Sequence, residues 1–190
     1  MPMEALPDLD TLSLADIARL VEEKKLPPVA QWNPDHCGHS DMRIARDGTW
    51  FHQGSPIGRK EMVRLFSNIL RREADGRFVL VTPVEKLDID VDDAPFVAVE
   101  VKSAGEGEAR ELAFRLNTGD LVVADADHPL QVREMDDGPH PYVRVRDGLE
   151  ALIARSVYYE LVNWALEEGG DEGDITLWSR GARFSLTPAG

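Results

Sequence analysis

Two kinds of chemistry can be read from residue types and spacing in this chain. The first is metal ligation. His36, Cys37, His39 and Asp41 stand within one short stretch, and imidazole, thiolate and carboxylate are the donors zinc takes. Their spacing is crowded and no second cluster closes the site. A polar loop is therefore the plainer reading, and metal-assisted hydrolysis through these four residues is the lesser alternative. The second chemistry is anion binding. Ser55, Arg59 and Lys60 stand at the start of an expected helix, with Trp50 nearby. Helix N-terminal amides and guanidinium forks hold phosphate, and an aromatic face stacks a base. Further along, Arg144 and Arg146 share one strand face by the period of two. Arg155 follows on a helix, with Tyr158 three residues on and Tyr159 four. Glu85 and Lys86 sit where they can bridge two halves of the chain. For each arginine the competing reading is a surface ion pair, and for Trp50 and Tyr158 it is core packing. The expectation rests on the group.

No GxSxG, P-loop, dinucleotide fingerprint or HExxH occurs, so the common enzyme classes have no foothold. No catalytic residue and no cofactor are expected. The net charge is −14 over 190 residues, which disfavours non-specific nucleic-acid binding and anionic membranes. The charge is uneven. Arg43 to Lys86 holds nine Lys or Arg against five Asp or Glu, while Asp88–Asp93 and Glu167–Asp174 are acidic runs. A single cysteine, Cys37, permits no internal disulfide and fits a reducing compartment. The opening MPMEALPDLD lacks the features of a signal peptide. No apolar run nears the roughly 20 residues of a membrane span. A cytoplasmic protein is expected.

These residues need elements to position them. Residues 1–10 read as a tail. Ser13 and Asp16 cap a helix with an apolar stripe of Leu14, Ile17, Leu20 and Val21, ended by Pro27-Pro28. That helix is expected to pack on the first half. Residues 31–41 have loop composition. Asp47-Gly48 closes a hairpin between alternating runs. Gly58 and Glu61 open a helix whose buried face is Met62, Leu65, Phe66, Ile69 and Leu70, broken at Asp75-Gly76. RFVLVT at 77–82 is a strand. Short strands with turn signals then suggest an antiparallel meander. Asp147 and Glu150 open a long helix carrying Leu149, Leu152, Ile153 and Val157, ended by Gly169-Gly170. A hairpin closes the chain at 175–186.

The punctuation repeats. Asp47-Gly48-Thr49-Trp50 is echoed by Thr118-Gly119-Asp120-Leu121, Ser55-Pro56-Ile57 by His128-Pro129-Leu130, and each half holds a helix and closes on an RF…TP strand. This predicts a duplicated strand–turn–helix–strand unit. The fold class is α+β with two related subdomains, 1–83 and 84–190, the second larger and built on a curled antiparallel sheet with a long helix.

GSPIGR at 54–59, LVTPVEK at 80–86, DAPF at 93–96 and YVRVRDGLEALIARSVYYELV at 142–162 resemble the bacterial family known as domain of unknown function 1285. The resemblance runs from about Trp32 to the end of the second long helix. It implies a duplicated α+β architecture whose second domain is superficially like a pleckstrin-homology fold. It also implies a site between the domains for a nucleotide- or nucleic-acid-derived ligand in signal transduction, and no enzymatic activity. Together these readings lead to a regulatory protein binding a small anion between its subdomains, with a protein-interaction module as the alternative.

Overall fold

The computed structural model describes residues 9–169, 173 and 175–188. The expected tail up to residue 8, Gly170 and part of the 167–174 acidic run lie outside the described residues. The first sheet is built from β1 (His36–Ile44), β2 (Trp50–His52), β3 (Ser55–Pro56), β4 (Leu70–Arg72), β5 (Phe78–Val81) and β6 (Glu85–Val91). Its order is β3-β2-β1-β6-β5-β4, and β1–β6 is its parallel pair. The second sheet takes β7 (Phe96–Ala104), β8 (Glu111–Leu116), β9 (Leu121–Val123), β10 (Leu130–Met135), β11 (Gly138–Arg146) and β12 (Leu149–Ile153). Its order is β9-β8-β7-β12-β11-β10, with β7–β12 parallel.

The two orders are the same. In each sheet the first and sixth strands pair in parallel at the centre, and a three-strand meander runs outward on either side. The chain is thus α+β with two similar domains, each a curled mixed sheet. The repeated unit is the whole six-stranded sheet. The helices do not correspond: α2 (Lys60–Asn68) follows the third strand of its domain, whereas α3 (Arg155–Glu167) follows the sixth of the other. Parallel pairing of β7 with β12 replaces the purely antiparallel second sheet. Since β6 is central to the first sheet, the division falls between Val91 and Phe96 rather than at Pro83, which only turns the chain from β5 into β6.

Several local expectations change under tertiary pairing. The loop-like residues 36–40 are strand because β1 aligns His36 to His39 with Glu85 to Asp88 of β6. Residues 70–72 are strand β4, paired to β5, so α2 ends at Asn68. Its N-cap is Arg59, one residue past Gly58. Of the expected buried face, Phe66, Ile69 and Leu70 pack on the core, joined by Val63, whereas Met62 and Leu65 are exposed. Asp147-Gly148 is a turn with Gly148 at φ +76°, and residues 149–153 are β12. Leu149, Ala151 and Ile153 are buried at the strand period, so the helix begins only at Arg155.

One core spans both domains. Ile44, Trp50, Leu70, Leu80 and Ile89 of the first sheet join Phe96, Phe114, Leu149 and Leu161 of the second domain in a single buried cluster. Outside it, α1 (Leu14–Glu23) opens on a capping box: Ser13 Oγ accepts from Asp16 N at 3.1 Å and the Asp16 carboxylate accepts from Ser13 N at 3.2 Å. This helix packs across the second domain, not the first. Ile17 and Leu9 are buried with Ala113 and Val123 on the face of β8–β9 turned away from the main core. Lys24 pairs with Asp120, and Lys102 donates to the Leu12 carbonyl. No helix among the described residues is long and apolar enough to cross a membrane.

The hairpin β13 (Thr176–Ser179)–β14 (Ala182–Ser185) is fastened to the second sheet through Ser179. Its buried hydroxyl accepts from Leu112 N at 2.9 Å and donates to Ala124 O at 2.6 Å. Ser179→Ala strands a buried amide and a buried carbonyl. It is expected to lower stability by about 1–3 kcal/mol in urea unfolding, with the m-value unchanged.

Candidate functional site

Residues from the two domains meet along a seam that opens into clefts. The β1–β2 turn of the first domain docks on the β8–β9 turn of the second. Asn117 Nδ2 donates to Gly48 O at 3.2 Å, and Asn117 Oδ1 accepts from Val97 N at 3.0 Å. Gly48 has φ +89°, and a Cβ there would lie 2.5 Å from Asn117 Nδ2. Only glycine allows both the turn and the approach.

Just before this turn, Arg46 reaches across the seam. Its Nη2 lies 2.9 Å from His140 Nδ1, its Nη1 3.5 Å from Asp137 Oδ2 and its Nε 3.9 Å from Asp93 Oδ2. His140 Nε2 lies 2.8 Å from Asp137 Oδ1, so one tautomer donates to Asp137 and accepts from Arg46. Tyr142 Oη donates to Asp93 at 2.8 Å. Burial, and then this bond to a carboxylate, push the Tyr142 pKa well up. Beyond Arg46 and His140 opens a cleft of about 570 Å³, walled by Pro139, Pro141, Leu152, Tyr158, Tyr159 and the first turn of α3. No side chain caps α3, whose N-cap is Ala154. Its first amides and the positive end of its dipole are available to an anion. Arg155 is exposed and makes no ion pair within 4 Å among the described residues. Tyr158 Oη donates to Leu186 O at 2.6 Å, which fixes its ring 6.3 Å from that of Tyr159. Tyr159 is 56% exposed and presents an aromatic surface.

The structure therefore brings together Arg155 and Tyr158 of the expected set and disperses the rest. Trp50 is 1% exposed, stacked on Phe66 in the core, so its ring is not a stacking platform. With Lys60 it walls a different cleft, of about 680 Å³, against the β8–β9 turn. Ser55 and Arg59 are exposed near the start of α2. Glu85 lies at the start of β6, aligned with His36. Lys86 pairs with Glu73 at 3.3 Å. Arg144 and Arg146 do not share a face, because an irregularity in the β11–β12 pairing between them breaks the period of two. Arg144 is exposed, whereas Arg146 turns inward and donates to Ser67 O in α2. The residues that sequence reasoning missed are Arg46 and His140. Their partnership spans 94 positions, and no local signal announces it.

The His36–Asp41 stretch does not assemble. On β1, His36 faces opposite to Cys37 and His39. His39 is drawn to Asp90 at 3.4 Å and accepts from Asp41 N at 2.8 Å. Among the described residues no group of three or more His, Cys, Asp or Glu could hold a metal ion.

A duplicated pair of mixed six-stranded sheets sharing one core, with a clefted seam, defines the class of protein. The chain belongs to the family of unknown function DUF1285: the family's N-terminal domain matches residues 27–94 and its C-terminal domain residues 95–186. The meeting point agrees with the division seen between β6 and β7. A DUF1285 family protein from Silicibacter pomeroyi DSS-3 has a similar crystal structure, with 49% identity and a TM-score of 0.79 over 93% of this chain and 96% of that one. A DUF1285 family protein from Shewanella baltica OS155 is 28% identical, with a TM-score of 0.51 over 64% of this chain and 90% of that one. No protein with a curated description matches.

Glu73 anchors one side of the seam by pairing with both Arg71, at 2.8 Å, and Lys86. Burial opposes its charge, but the bonds from Arg71 and Lys86 outweigh it and hold the carboxyl below its ordinary value of 4.5. A depressed folded-state pKa adds stability that is complete above the unfolded value and lost as pH falls through the folded one. The thermal midpoint is expected to drop on acidification below about pH 4.5. Glu73→Gln should have a lower midpoint at pH 7 and a shallower acid limb.

Proposed function

We propose that this chain is a non-catalytic regulatory protein of bacterial signalling that binds a small anionic, nucleotide-like ligand between its two domains, in the cytoplasm. The observation that carries this reading is the convergence at the 570 Å³ cleft. The uncapped N-terminus of α3 and Arg155 offer a phosphate both amides and a guanidinium fork. Tyr159 offers a base a ring face. The volume suits a ligand of that size, since small-molecule sites run to about 300–1,000 Å³. Binding rather than turnover fits the titratable groups of this wall. His140 and Asp137 are bonded to each other and to Arg46. The exposed, free Cys37 is compatible with a reducing cytoplasm.

A protein partner is the alternative, favoured by the adjacent exposed Met62 and Leu65 on α2, the latter 62% exposed. Calorimetric titration with nucleoside mono-, di- and cyclic phosphates decides between them. The expected result is saturable heat with at least one of these, and a loss of affinity of about tenfold or more in Arg155→Gln, as for a charge-assisted bond of roughly 1.5–3 kcal/mol. Absence of heat and of any thermal shift at low millimolar ligand overturns the reading.

A further inference from the structure

Elsewhere on the seam each domain sends an arginine to the other's backbone. Arg146, at the end of β11, donates to Ser67 O of α2, and its Cζ lies 5.5 Å from the centre of the Phe96 ring. Arg72, at the end of β4, points Nη1 toward Gly148 O at 3.4 Å, and its Cζ lies 5.2 Å from the Phe78 ring. Gly148 turns the chain at φ +76°, a conformation that favours glycine, and Arg72 Cδ would lie 3.3 Å from a Cβ there. Both guanidinia therefore meet carbonyl oxygens and aromatic faces. Among the described residues neither has a carboxylate within 4 Å.

The neighbouring cations differ. Arg71 is held by Glu73 and by the carbonyls of Val29 and Trp32, and Lys86 also takes Glu73. The nearby carboxylate is thus already shared by two partners. A mostly buried guanidinium without a counter-charge is costly, because carbonyl dipoles replace lost hydration only in part. Burial lowers the Arg146 pKa, against the more distant charges of Asp120 and Asp147.

Arg72 and Arg146 line one cleft of about 530 Å³, with the paired Arg71 and Glu73, Asn33 and Asn68, the Asp147 carboxylate, and a side formed by residues 26–30. We propose that this cleft is a second site, distinct from the Arg155 cleft, for a compact, multiply charged phosphate-type oxyanion. Two forks from opposite domains suit oxygens on one such group better than a single carboxylate. An occupant bridges the domains and touches the tether that carries α1, so it locks three parts of the molecule at once.

The test is thermal unfolding of the full chain with inorganic phosphate or pyrophosphate, against sodium chloride at matched ionic strength. The expected result is a saturable rise in the midpoint with the phosphate probes alone. Arg72→Gln should weaken the apparent affinity for that probe by about tenfold or more, while Arg155→Gln leaves it unchanged. Arg146→Lys should weaken it as well. If its loss of the Ser67 contact prevents folding, the exposed Arg72 carries the test. No rise in the wild type overturns the proposal, as does a rise that Arg72→Gln retains. A rise lost in Arg155→Gln but kept in Arg72→Gln assigns the anion to the other cleft, supports the reading of that cleft and sinks this one.

Discussion

Neither sheet keeps its apolar face dry alone. Trp50, Leu80 and Ile89 from one domain and Phe96, Phe114 and Leu149 from the other are buried in the same cluster. Each such side chain contributes about 1.5–3 kcal/mol on burial, so parting the domains would forfeit several of these terms together. Domains within a chain usually move against one another across smaller, more polar contacts. Here the shared core sets the distance between the sheets, and the clefts along the seam inherit that distance. Arg46, Arg72, Arg146 and Asn117 can therefore reach across to fixed partners.

The seam also shows how an acidic chain uses its cations. The formal charge is −14, yet three arginines that cross between domains stand at the edges of its clefts. Arg46 is neutralised by Asp93 and Asp137. Arg72 and Arg146 are met by carbonyls. Local carboxylates largely quiet the first environment and leave the second unbalanced. The difference is one of distance: the β10–β11 turn brings Asp137 within 3.5 Å of Arg46, whereas the β11–β12 turn meets Arg72 with the carbonyl of Gly148 and leaves the Asp147 carboxylate outside pairing distance.

What could be read from the sequence was whatever local patterning decides. The Ser13–Asp16 cap, the Asp47-Gly48 hairpin, the short strands between Phe96 and Arg146 and the closing hairpin form where expected. The duplication was legible too, but its register was not. The echoed turns belong to different steps of the two meanders, β1–β2 and β8–β9. Residues 147–153 satisfied a capping pattern and a helical stripe as well as strand alternation, and pairing with β7 and β11 decided between them. The domain division lacks a linker signature because Ala94 and Pro95 are buried. For the candidate site, Arg155 and Tyr158 were legible as helix neighbours. Arg146 parted from Arg144 because of a pairing irregularity that composition does not encode. Arg46 and His140 were invisible because only the closed fold joins them.

The place of α1 has a consequence in time. Its seat is Ala113, Leu121 and Val123, residues made about a hundred positions after Ile17. At about 5–20 residues per second, the ribosome releases the helix several seconds before its seat exists. A helix of ten residues is marginal by itself in water. A helix made well before its seat is thus among the last elements that can be fastened, and its docking marks a second domain already built.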